Sequence, residues 1–591
     1  MKKYEALDIE TIWEDDIAKA LCIAITSGEK VKFKRTEINN IDNGEILDFM
    51  LKECSSKKIY YVHNLTFEIF VFLKEMIKRK LKFKIISANS TVYSAEIWHN
   101  KKKIKLRCSY RLTMLPLKKL AELAEMEQKS IFPYKILDKN IKEEIIIKEE
   151  MFNNVKEFEE FKKNNKEKIK TYEILEEYCK NDALITKKSI IKYWKIIEEG
   201  GLKNNNRILT AAKLSIENYF MKNSMIKKKI KLKYDRIVRQ AYFGGRTEVF
   251  GNPKKNEIIL HYDWTGMYAQ CMTEKVLGGE VFESKIIRKI EDPGFYWIKF
   301  EQNLDIPVLP VKKEKLLFAN GIFEGWYWFE EILLAIKMGV KIISVNKMIG
   351  AQYYDNFIKE FVEINNKIRE KSLLHKQIGK NNNNTFYGRL GMNPERLEEE
   401  IISNLEEKKY EKIIEKNGIY LGYSKKEKSI SNVIVSASIT SKARIKLYKG
   451  MLEVKKNKGR ILYTDTDSII AAFSIENYNK VIDKKMGEVI FDSKKEDTII
   501  EDAVFAMPKT YALRYKNGNE IVKIKGFNTT PSFEEFKNAF YKKENIITEN
   551  NEWSKKDFII KRINKEKKTN LYDLDKRIWK KDLKSTLPIK L

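Results

Sequence analysis

Three aspartates in the second half of the chain have the spacing of a metal-binding site. Asp465 and Asp467 lie two residues apart in RILYTDTDSIIAAF, where apolar runs flank a TDTD turn typical of a β-hairpin. Residues two apart point to the same side of an extended chain, and close carboxylates repel unless a cation joins them. Asp263 ends the strand-like segment EIILHY, just before a turn that contains Gly266. Two such strand ends could bind two Mg²⁺ ions for phosphoryl transfer, although Asp is also common in turns for local reasons.

One predicted helix face carries groups that suit a nucleoside triphosphate. At 100° per residue its members fall within an arc of about 80°. They are Arg369, Lys376, Lys380, Asn384 and Tyr387. Cations bind phosphates and a tyrosine ring can stack on a base, whereas a solvated lysine face is the plainer alternative. Tyr268, five residues after Asp263, offers a second ring for a nucleotide, with ordinary core packing as its alternative.

The first half of the chain holds a second set of acids. DIET places Asp8 and Glu10 on one face of a strand, and HNLTFE begins a helix that carries Glu68. YCKND places Tyr178 and Asp182 four residues apart, hence on one helix face. Four carboxylates and a tyrosine could bind two Mg²⁺ ions and orient a water for phosphodiester hydrolysis. Each segment alone is also compatible with ordinary structural roles.

Alternation and helical periodicity predict the elements that position these residues. Residues 1–110 combine strand-like segments with a helix in EIFVFLKEMIKRKL. A helix is predicted from Thr171 to Glu199, and GGLKNNN, from Gly200, marks a domain boundary. Strands are predicted from residue 207 to about 300, and a long helical stretch from 354 to 388. The last 41 residues look helical or irregular.

The composition narrows the kinds of partner. The chain has 114 Lys and Arg against 84 Asp and Glu, a formal net charge of +30, which suits nucleic acid, although a general lysine bias would give the same charge. The charge-dense segment 138–170 favours a solvated insertion or surface helix. Five scattered cysteines without a CxxC pair argue against a zinc site or disulfide framework. Without a long apolar run or a signal-peptide core, we expect no membrane contact and a cytoplasmic location, the host cytoplasm if a phage encodes the chain.

Five ordered motifs of the second half resemble those of family B DNA polymerases. They are AYFGGR (YxGG), DWTGMY (motif A, DxxSLYP), KNNNNTFYG (motif B, KxxxNSxYG), YTDTDS (motif C) and KTY (KxY). The resemblance implies metal binding by Asp263 and Asp467, with Asp465 in support. It assigns dNTP binding to Tyr268, Lys376, Lys380, Asn384 and Tyr387, and DNA binding to Tyr242, Gly244, Gly245, Lys509 and Tyr511. Departures are Gly266 and Thr385 where the family has Ser, and a missing proline in motif A.

The acids of the first half resemble the three proofreading exonuclease motifs that precede this polymerase module. The resemblance implies catalytic roles for Asp8, Glu10, Glu68, Asp182 and the water-orienting Tyr178. Of these, Asp8, Glu10 and Asp182 are the implied metal ligands. It implies DNA contacts for Asn64, Phe67, Ser109, Lys129 and Tyr134. The main departure is Glu68 where the family has Asp, and Tyr110 follows Ser109 where the protein-primed subgroup has Leu.

The resemblance also implies the architecture. We expect a multidomain α/β and α+β fold with a ribonuclease H-like 3′–5′ exonuclease domain, then a right-hand polymerase with the two insertions of the protein-primed subgroup of phages, adenoviruses and linear plasmids. The implied bounds are 1–203 for the exonuclease domain, 204–274 and 431–530 for the palm, 275–352 for insertion 1, 353–393 for the fingers, 394–430 for insertion 2 and 531–591 for the thumb.

The predicted activity is template-directed DNA synthesis with 3′–5′ proofreading. We expect each active site to bind two Mg²⁺ ions, or Mn²⁺, and the chain to act as a monomer. It would add dNTPs to the primer of primer-template DNA or to a terminal-protein hydroxyl. Strand displacement during replication of a linear phage or plasmid-like genome is expected by the same resemblance. Two alternatives remain at this point. A 3′–5′ exonuclease with an inactive polymerase half would fail to incorporate dNTPs, and a non-catalytic basic DNA-binding protein would need no metal.

Overall fold

Three large β-sheets organise the chain in a computed structural model. The structure describes residues 4–37, 40–89, 91–123, 131–137, 142–202, 208–223, 225–285, 290–404, 410–416, 418–425, 430–481, 499–555, 559–572 and 574–591. No helix in these ranges has the length and apolar character required to span a membrane.

The N-terminal part alternates strands and helices as its sequence predicts. Its strands are β1 Tyr4–Glu14, β2 Ile17–Ser27, β3 Lys30–Arg35, β4 Ile59–Val62, β5 Lys82–Ala88, β6 Thr91–His99, β7 Lys102–Cys108, β8 Glu144–Ile146 and β9 Lys168–Lys170. Its helices are α1 Asn43–Glu53, α2 Leu65–Lys78, α3 Ser109–Thr113, α4 Leu117–Leu123, α5 Val155–Asn164 and α6 Thr171–Glu199. Helix α6 has the predicted bounds and ends at Gly200. The charge-dense segment 138–170 contains β8, β9 and the surface helix α5.

The middle part contains more helix than its sequence predicts. Its strands are β10 Thr247–Val249, β11 Glu257–Asp263, β12 Val276–Ser284, β13 Phe295–Gln302, β14 Val311–Lys312, β15 Leu316–Leu317, β16 Gly321–Trp328 and β17 Lys341–Asp355. Its helices are α7 Ala211–Lys222, α8 Leu232–Val238, α9 Met267–Met272, α10 Phe329–Lys337, α11 Lys359–Ile368 and α12 Leu373–Leu390.

Two predictions for the middle part are therefore wrong. The described part of residues 207–300 holds three α-helices. The first begins where the Thr210 hydroxyl accepts a hydrogen bond from Lys213 N. The long helical stretch from 354 to 388 is two helices, because the Ser372 side chain caps α12 by accepting from His375 N. A strand, β17, also occupies its first two residues.

The C-terminal part is mostly strand. Its strands are β18 Leu397–Ile402, β19 Lys412–Lys416, β20 Ile419–Lys425, β21 Arg460–Asp465, β22 Ser468–Ser474, β23 Ile499–Met507, β24 Thr510–Tyr515, β25 Glu520–Lys523, β26 Asn545–Ser554, β27 Lys561–Asn570, β28 Arg577–Trp579 and β29 Thr586–Pro588. Its helices are α13 Val433–Lys456, α14 Ile475–Val481 and α15 Phe533–Lys542. The helical or irregular prediction for the last 41 residues is wrong. Strands β26 and β27 pair along ten residues with mostly polar side chains, so no apolar alternation marks them.

The first sheet joins distant parts of the sequence. Its strand order is β19-β20-β18-β5-β6-β7-β4-β1-β2-β27-β26, and β3 also pairs with β2. Strand β18 therefore extends one side of the N-terminal sheet, and strand β27 extends the other. Since β18 and β5 are more than 300 residues apart, only the folded chain reveals this continuity.

The other two sheets position the second group of acids. The second has the order β10-β21-β22-β11-β23-β24-β25, and the third, in the region predicted as insertion 1, has the order β12-β17-β13-β16. The largest buried core packs α13 between these two sheets. Since β22 separates β11 from β21, the strands that end at Asp263 and Asp465 are held next to a common neighbour. The domain bounds stay predictions.

Candidate active sites

Backbone pairing brings the three aspartates of the second half together. Asp263 and Asp465 both pair with Ser468, from opposite sides of β22. In the tight turn, Asp467 N donates to Asp465 O at 2.7 Å and Trp264 N donates to Asp467 O at 2.8 Å. The three residues therefore lie at one end of three adjacent strands.

The electrostatics of Asp467 indicate that its carboxylate lies near that of Asp263. The pKa of Asp467 rises to about 6, first because burial disfavours its charged form and then because Asp263 lies close, with a smaller contribution from Asp465. Lys509 opposes this shift. Clustered carboxylates of this kind are the ligands that Mg²⁺ prefers, so Asp263 and Asp467 fit a divalent cation.

Asp465 is held by several donors. Its Oδ1 accepts from Thr247 Oγ1 at 2.9 Å, and Lys509 Nζ lies 2.9 Å and 3.1 Å from its two carboxylate oxygens. The predicted DNA contact Lys509 thus pairs with the supporting aspartate. Tyr511 packs against Tyr463, with ring centroids 5.4 Å apart. Thr247 was not predicted, and only its position just after the AYFGGR motif could have pointed to it.

The AYFGGR loop supports the tip of the aspartate hairpin. Thr466, which has a φ of 64°, donates its N–H to Arg246 O at 2.8 Å. A Cβ on Gly245 would lie 2.7 Å from the Thr466 side chain, so the approach requires glycine. Gly244 is exposed beside it. Tyr242 abuts Gly391, where a Cβ would lie 2.6 Å from the phenol oxygen.

A buried arginine that sequence reasoning missed fixes the same loop. Arg444 donates to Phe243 O at 2.8 Å and pairs with buried Glu331 of insertion 1 at 2.7 Å. The only sequence signal was an arginine in a stretch of α13 rich in small residues, ITSKAR. Arg444 therefore connects the loop to α10.

The predicted nucleotide face of α12 is open to solvent. Lys376, Lys380 and Asn384 are exposed on one side of the helix. On the other side, Leu374 and Ile378 are buried in a core shared with the exonuclease domain. The helix is thus anchored on its back while its cations remain accessible.

Side-chain hydrogen bonds explain the asparagine run in α12. Asn382 Nδ2 donates to buried Asn365 Oδ1 at 3.0 Å, and Asn383 Nδ2 donates to Asn366 Oδ1 at 3.3 Å, both on α11. Asn381 Nδ2 donates to Thr113 O of the exonuclease domain at 2.7 Å. These bonds offset the poor helix propensity of asparagine.

Tyr268 of α9 packs against Tyr387 of α12. The rings of Tyr268 and Tyr387 stack with centroids 4.3 Å apart and an interplanar angle of 18°. Burial raises the pKa of both phenols, and Asp467 is among the charges that act on each of them. The stack therefore forms a wall beside the aspartates.

The first-half acids also converge. Ligand oxygens of Asp8, Glu10 and Asp182 lie within 4.8 Å of one another, on β1 and α6, and Asp8 and Asp182 are buried. This arrangement fits a divalent cation as well. Glu68, at the start of α2, is not part of that group among the described residues. Burial raises its pKa, Asp8 raises it further, and its Oε2 has no hydrogen-bond partner in the described chain.

Tyr178 stands beside this group. Its hydroxyl hydrogen-bonds that of Tyr134, which lies in a short 3₁₀ turn. Burial raises the pKa of the Tyr178 phenol, and Glu10 and Asp182 add to the shift. The predicted Lys129 lies outside the described residues.

The predicted single-strand contacts separate in the structure. Asn64 is exposed with a left-handed φ of 69°, and half-buried Phe67 lies edge-on to Trp553 of the thumb at 5.7 Å. Trp553 was not predicted, because only β2–β27 pairing brings it there. Ser109 is fully buried, with Oγ 3.0 Å from His63 Nδ1. The Ser109 hydroxyl thus contacts His63, and the DNA contact expected for Ser109 stays a prediction.

Comparisons with known proteins agree with this architecture. Residues 52–484 match the family described as DNA polymerase type B, organellar and viral. A probable DNA polymerase of Neurospora intermedia is 23% identical over 608 residues, which cover 92% of this chain and 61% of that protein. A probable DNA polymerase of Podospora anserina is 28% identical over 357 residues, which cover 52% of this chain and 29% of that protein. The chain thus spans about three fifths or less of these relatives' length.

Solved structures share the fold. Phi29 DNA polymerase complexed with primer-template DNA superposes with a TM-score of 0.69 and 17% identity, covering 96% of this chain and 100% of that chain. Phi29 DNA polymerase complexed with primer-template DNA and incoming nucleotide substrates superposes with a TM-score of 0.68 and 17% identity. The match covers 97% of this chain and 100% of that chain. The predicted fold class, an exonuclease-type domain followed by a right-hand polymerase, is confirmed. Since the family match covers well over half of the chain, this chain belongs to the organellar and viral type B DNA polymerases.

Proposed function

We propose that this chain is a DNA-directed DNA polymerase with 3′–5′ exonuclease activity. It would add dNTPs to a primer 3′-hydroxyl or to a terminal-protein hydroxyl. The observation that carries the proposal is the convergence of Asp263, Asp465 and Asp467 at the ends of adjacent strands. Burial, and then the neighbouring Asp263, raise the pKa of Asp467 to about 6 there. Two phi29 structures that share the fold hold primer-template DNA, and one holds incoming nucleotides, which supports these substrates for this chain.

The polymerase residues would act by positioning and charge. Asp263 and Asp467 would hold divalent cations, Mg²⁺ or Mn²⁺, which when bound neutralise phosphate charge and lower the pKa of an attacking hydroxyl. Lys376 and Lys380 would attract the triphosphate of the dNTP. Tyr268, backed by Tyr387, would limit the space for a ribose 2′-hydroxyl. The primer oxygen bonds to the α-phosphorus, pyrophosphate leaves and the hydroxyl proton passes to solvent.

The exonuclease residues form a separate group. Asp8, Glu10 and Asp182 would hold divalent cations there. Tyr178 would orient a water toward the terminal phosphodiester, and its hydroxyl hydrogen-bonds that of Tyr134. Asn64 and Phe67 would contact the single-stranded primer end that enters this site.

The biological setting belongs to the same proposal. We propose a monomer that replicates a linear phage or plasmid-like genome, with insertion 1 contacting a terminal protein and insertion 2 supporting processivity and strand displacement. The hydrogen-bonded continuity of β18 with β5 supports a fixed position for insertion 2.

Extension of a primed single-stranded DNA circle tests the proposal. With Mg²⁺ and dNTPs, we expect full-length product from the unchanged chain. Asp467→Ala should abolish extension and leave 3′–5′ digestion, whereas Asp8→Ala should do the reverse. Glu159→Gln, at an exposed position of surface helix α5, serves as the control and should change neither. An Asp467→Ala protein that still extends the primer would refute the polymerase assignment.

A further inference from the structure

A short lysine-rich segment separates its charged and apolar side chains in an ordered way. Residues 222–239 carry eight Lys and Arg and a single acid, Asp235. Ile226 and Ile230 are buried, whereas the lysines between and after them are exposed. These exposed lysines are Lys227, Lys228, Lys229, Lys231 and Lys233. The two isoleucines therefore anchor the segment with its cations on the outer surface.

The segment forms one wall of a groove. The groove has an empty volume of about 300 Å³ and is lined by Lys227, Lys229, Lys231 and Tyr234 on this side. Strand β12 of insertion 1 supplies the other side, where its pairing with β17 shifts register between Gly278 and Val281. At this bulge a Cβ on Gly279, whose φ is +82°, would lie 2.7 Å from the Tyr353 ring. Only glycine fits there.

The groove has an excess of positive charge. Lys227 pairs with Glu280 at 3.0 Å, and Lys233 pairs with Glu283 at 3.4 Å, both on β12. Within the described ranges, Lys229 and Lys231 have no carboxylate at ion-pair distance. Two ammonium groups therefore face the groove without an ion-pair partner in the described part of the chain, an arrangement that attracts an anion.

The backbone holds the groove next to the polymerase site. Ser431 N donates to Lys228 O at 2.9 Å, and Asn432 Nδ2 donates to Lys227 O at 3.0 Å. Asn432 N in turn donates to Leu390 O, the last residue of nucleotide-face helix α12, at 2.8 Å. The groove thus lies where insertion 1 begins, where insertion 2 ends and where α12 ends.

We propose that this groove binds the phosphates of single-stranded DNA, as a DNA contact separate from both active sites. The choice of DNA as the polyanion rests on the proposed function. Clustered lysines bind phosphates mainly through counterion release, which requires no base-specific contact. Tyr234 offers a ring beside the same phosphates. Only a single strand has unpaired bases that can stack on this ring, which favours a single strand over a duplex.

A double substitution with a matched control tests the proposal. Lys229→Gln with Lys231→Gln removes the two lysines that have no ion pair. Lys156→Gln with Lys163→Gln removes the same charge from exposed positions of surface helix α5. Equal thermal midpoints would show that both proteins fold. Binding is measured by fluorescence anisotropy in EDTA, so that neither extension nor digestion interferes.

Two DNA substrates distinguish whether the bound single strand is the template or the displaced strand. One is a primer-template with a long 5′ template overhang, and the other is a fork with a short template overhang and a long displaced flap. We expect the groove variant to bind at least one of them roughly five- to twentyfold more weakly at low salt, with the log–log salt slope reduced by about 1.4. The α5 control should match the unchanged chain.

The outcomes separate this proposal from the proposed function. Loss on the overhang substrate assigns the groove to the template, and loss on the fork assigns it to the displaced strand. If the groove variant binds both substrates as the α5 control does, the proposal is overturned. A chain that fails to extend primers yet shows the expected binding loss would overturn the proposed function alone.

Discussion

At the scale of single residues, backbone pairing holds carboxylates together despite their repulsion. Ser468 pairs with both Asp263 and Asp465, and a tight turn places Asp467 beside them. The protein thus disfavours the ionised form of Asp467 in the absence of a cation. The sequence motifs predicted that Asp263, Asp465 and Asp467 would lie close together. The hydrogen bond from Thr247 and the ion pair with Lys509 were not predictable, because their partners depend on side-chain placement.

Asp467→Asn should stabilise the metal-free protein at neutral pH. The folded-state pKa of Asp467 is about 6 against an ordinary value of 3.8, so stability falls as pH rises from about 4 through 6. We expect the asparagine variant to gain about 1–2 kcal/mol at pH 7.5 and little at pH 4. Thermal midpoints in EDTA at the two pH values measure the difference. An equal change at both pH values would contradict the assigned pKa shift.

Glu68→Asp should increase exonuclease activity. Glu68 lies outside the group formed by Asp8, Glu10 and Asp182, and its buried carboxylate has a raised pKa. The aspartate side chain is one methylene shorter, so its carboxylate lies closer to the backbone, as in the family's motif at this position. We expect on the order of a tenfold faster release of nucleotides from single-stranded DNA. Asp8→Ala combined with Glu68→Asp is the inactive control, and a slower Glu68→Asp enzyme would contradict this expectation.

At the scale of elements, α11 and α12 form a hydrogen-bonded pair that presents the nucleotide face. Helical spacing predicted that face, and the structure exposes Lys376, Lys380 and Asn384 there. The break between the helices was missed, since the local capping by Ser372 competes with an otherwise continuous helical pattern. Strands β26 and β27 were not predicted either, because their pairing with each other defines them and no apolar alternation marks them in the sequence.

Asn382→Ala and Asn384→Ala should separate stability from nucleotide binding. Loss of the Asn382 side chain leaves the buried Asn365 oxygen without its donor, which destabilises the protein by about 1–2 kcal/mol. Asn384 is exposed on the same helix, so its loss should leave stability within about 0.5 kcal/mol and raise the KM for dNTPs. Denaturant unfolding and steady-state kinetics measure the two effects. If Asn384→Ala were the more destabilising change, the roles of the two helix sides would be reversed.

At the scale of the whole molecule, one sheet connects the N-terminal strands with β18–β20 and with β26–β27. Ile560, in the loop between β26 and β27, is buried in the exonuclease core, and Ala18 N donates to its carbonyl oxygen at 3.0 Å. The sequence predicted the order of the domains through its motifs. It did not predict this continuity, because strand pairing over hundreds of residues leaves no local signal.

Ile560→Asp should loosen the thumb from the exonuclease domain. A charge at this buried position destabilises the protein by about 3 kcal/mol or more. Ile547→Asp is the matched control, since Ile547 lies on the same hairpin and is 54% exposed. Thermal midpoints and hydrogen exchange of the Ala18 amide report the effect. Similar results for both variants would contradict the docked position of the hairpin loop.

The central claim is that Asp263, Asp465 and Asp467 form one cation site beside α12. The most direct measurement is a crystal structure of the chain with primer-template DNA, dNTP and Mn²⁺, with anomalous scattering used to locate the metal. We expect anomalous peaks in contact with both Asp263 and Asp467, and their loss in an Asp467→Asn crystal. Manganese bound only at the Asp8 group, with none between Asp263 and Asp467, would contradict the claim.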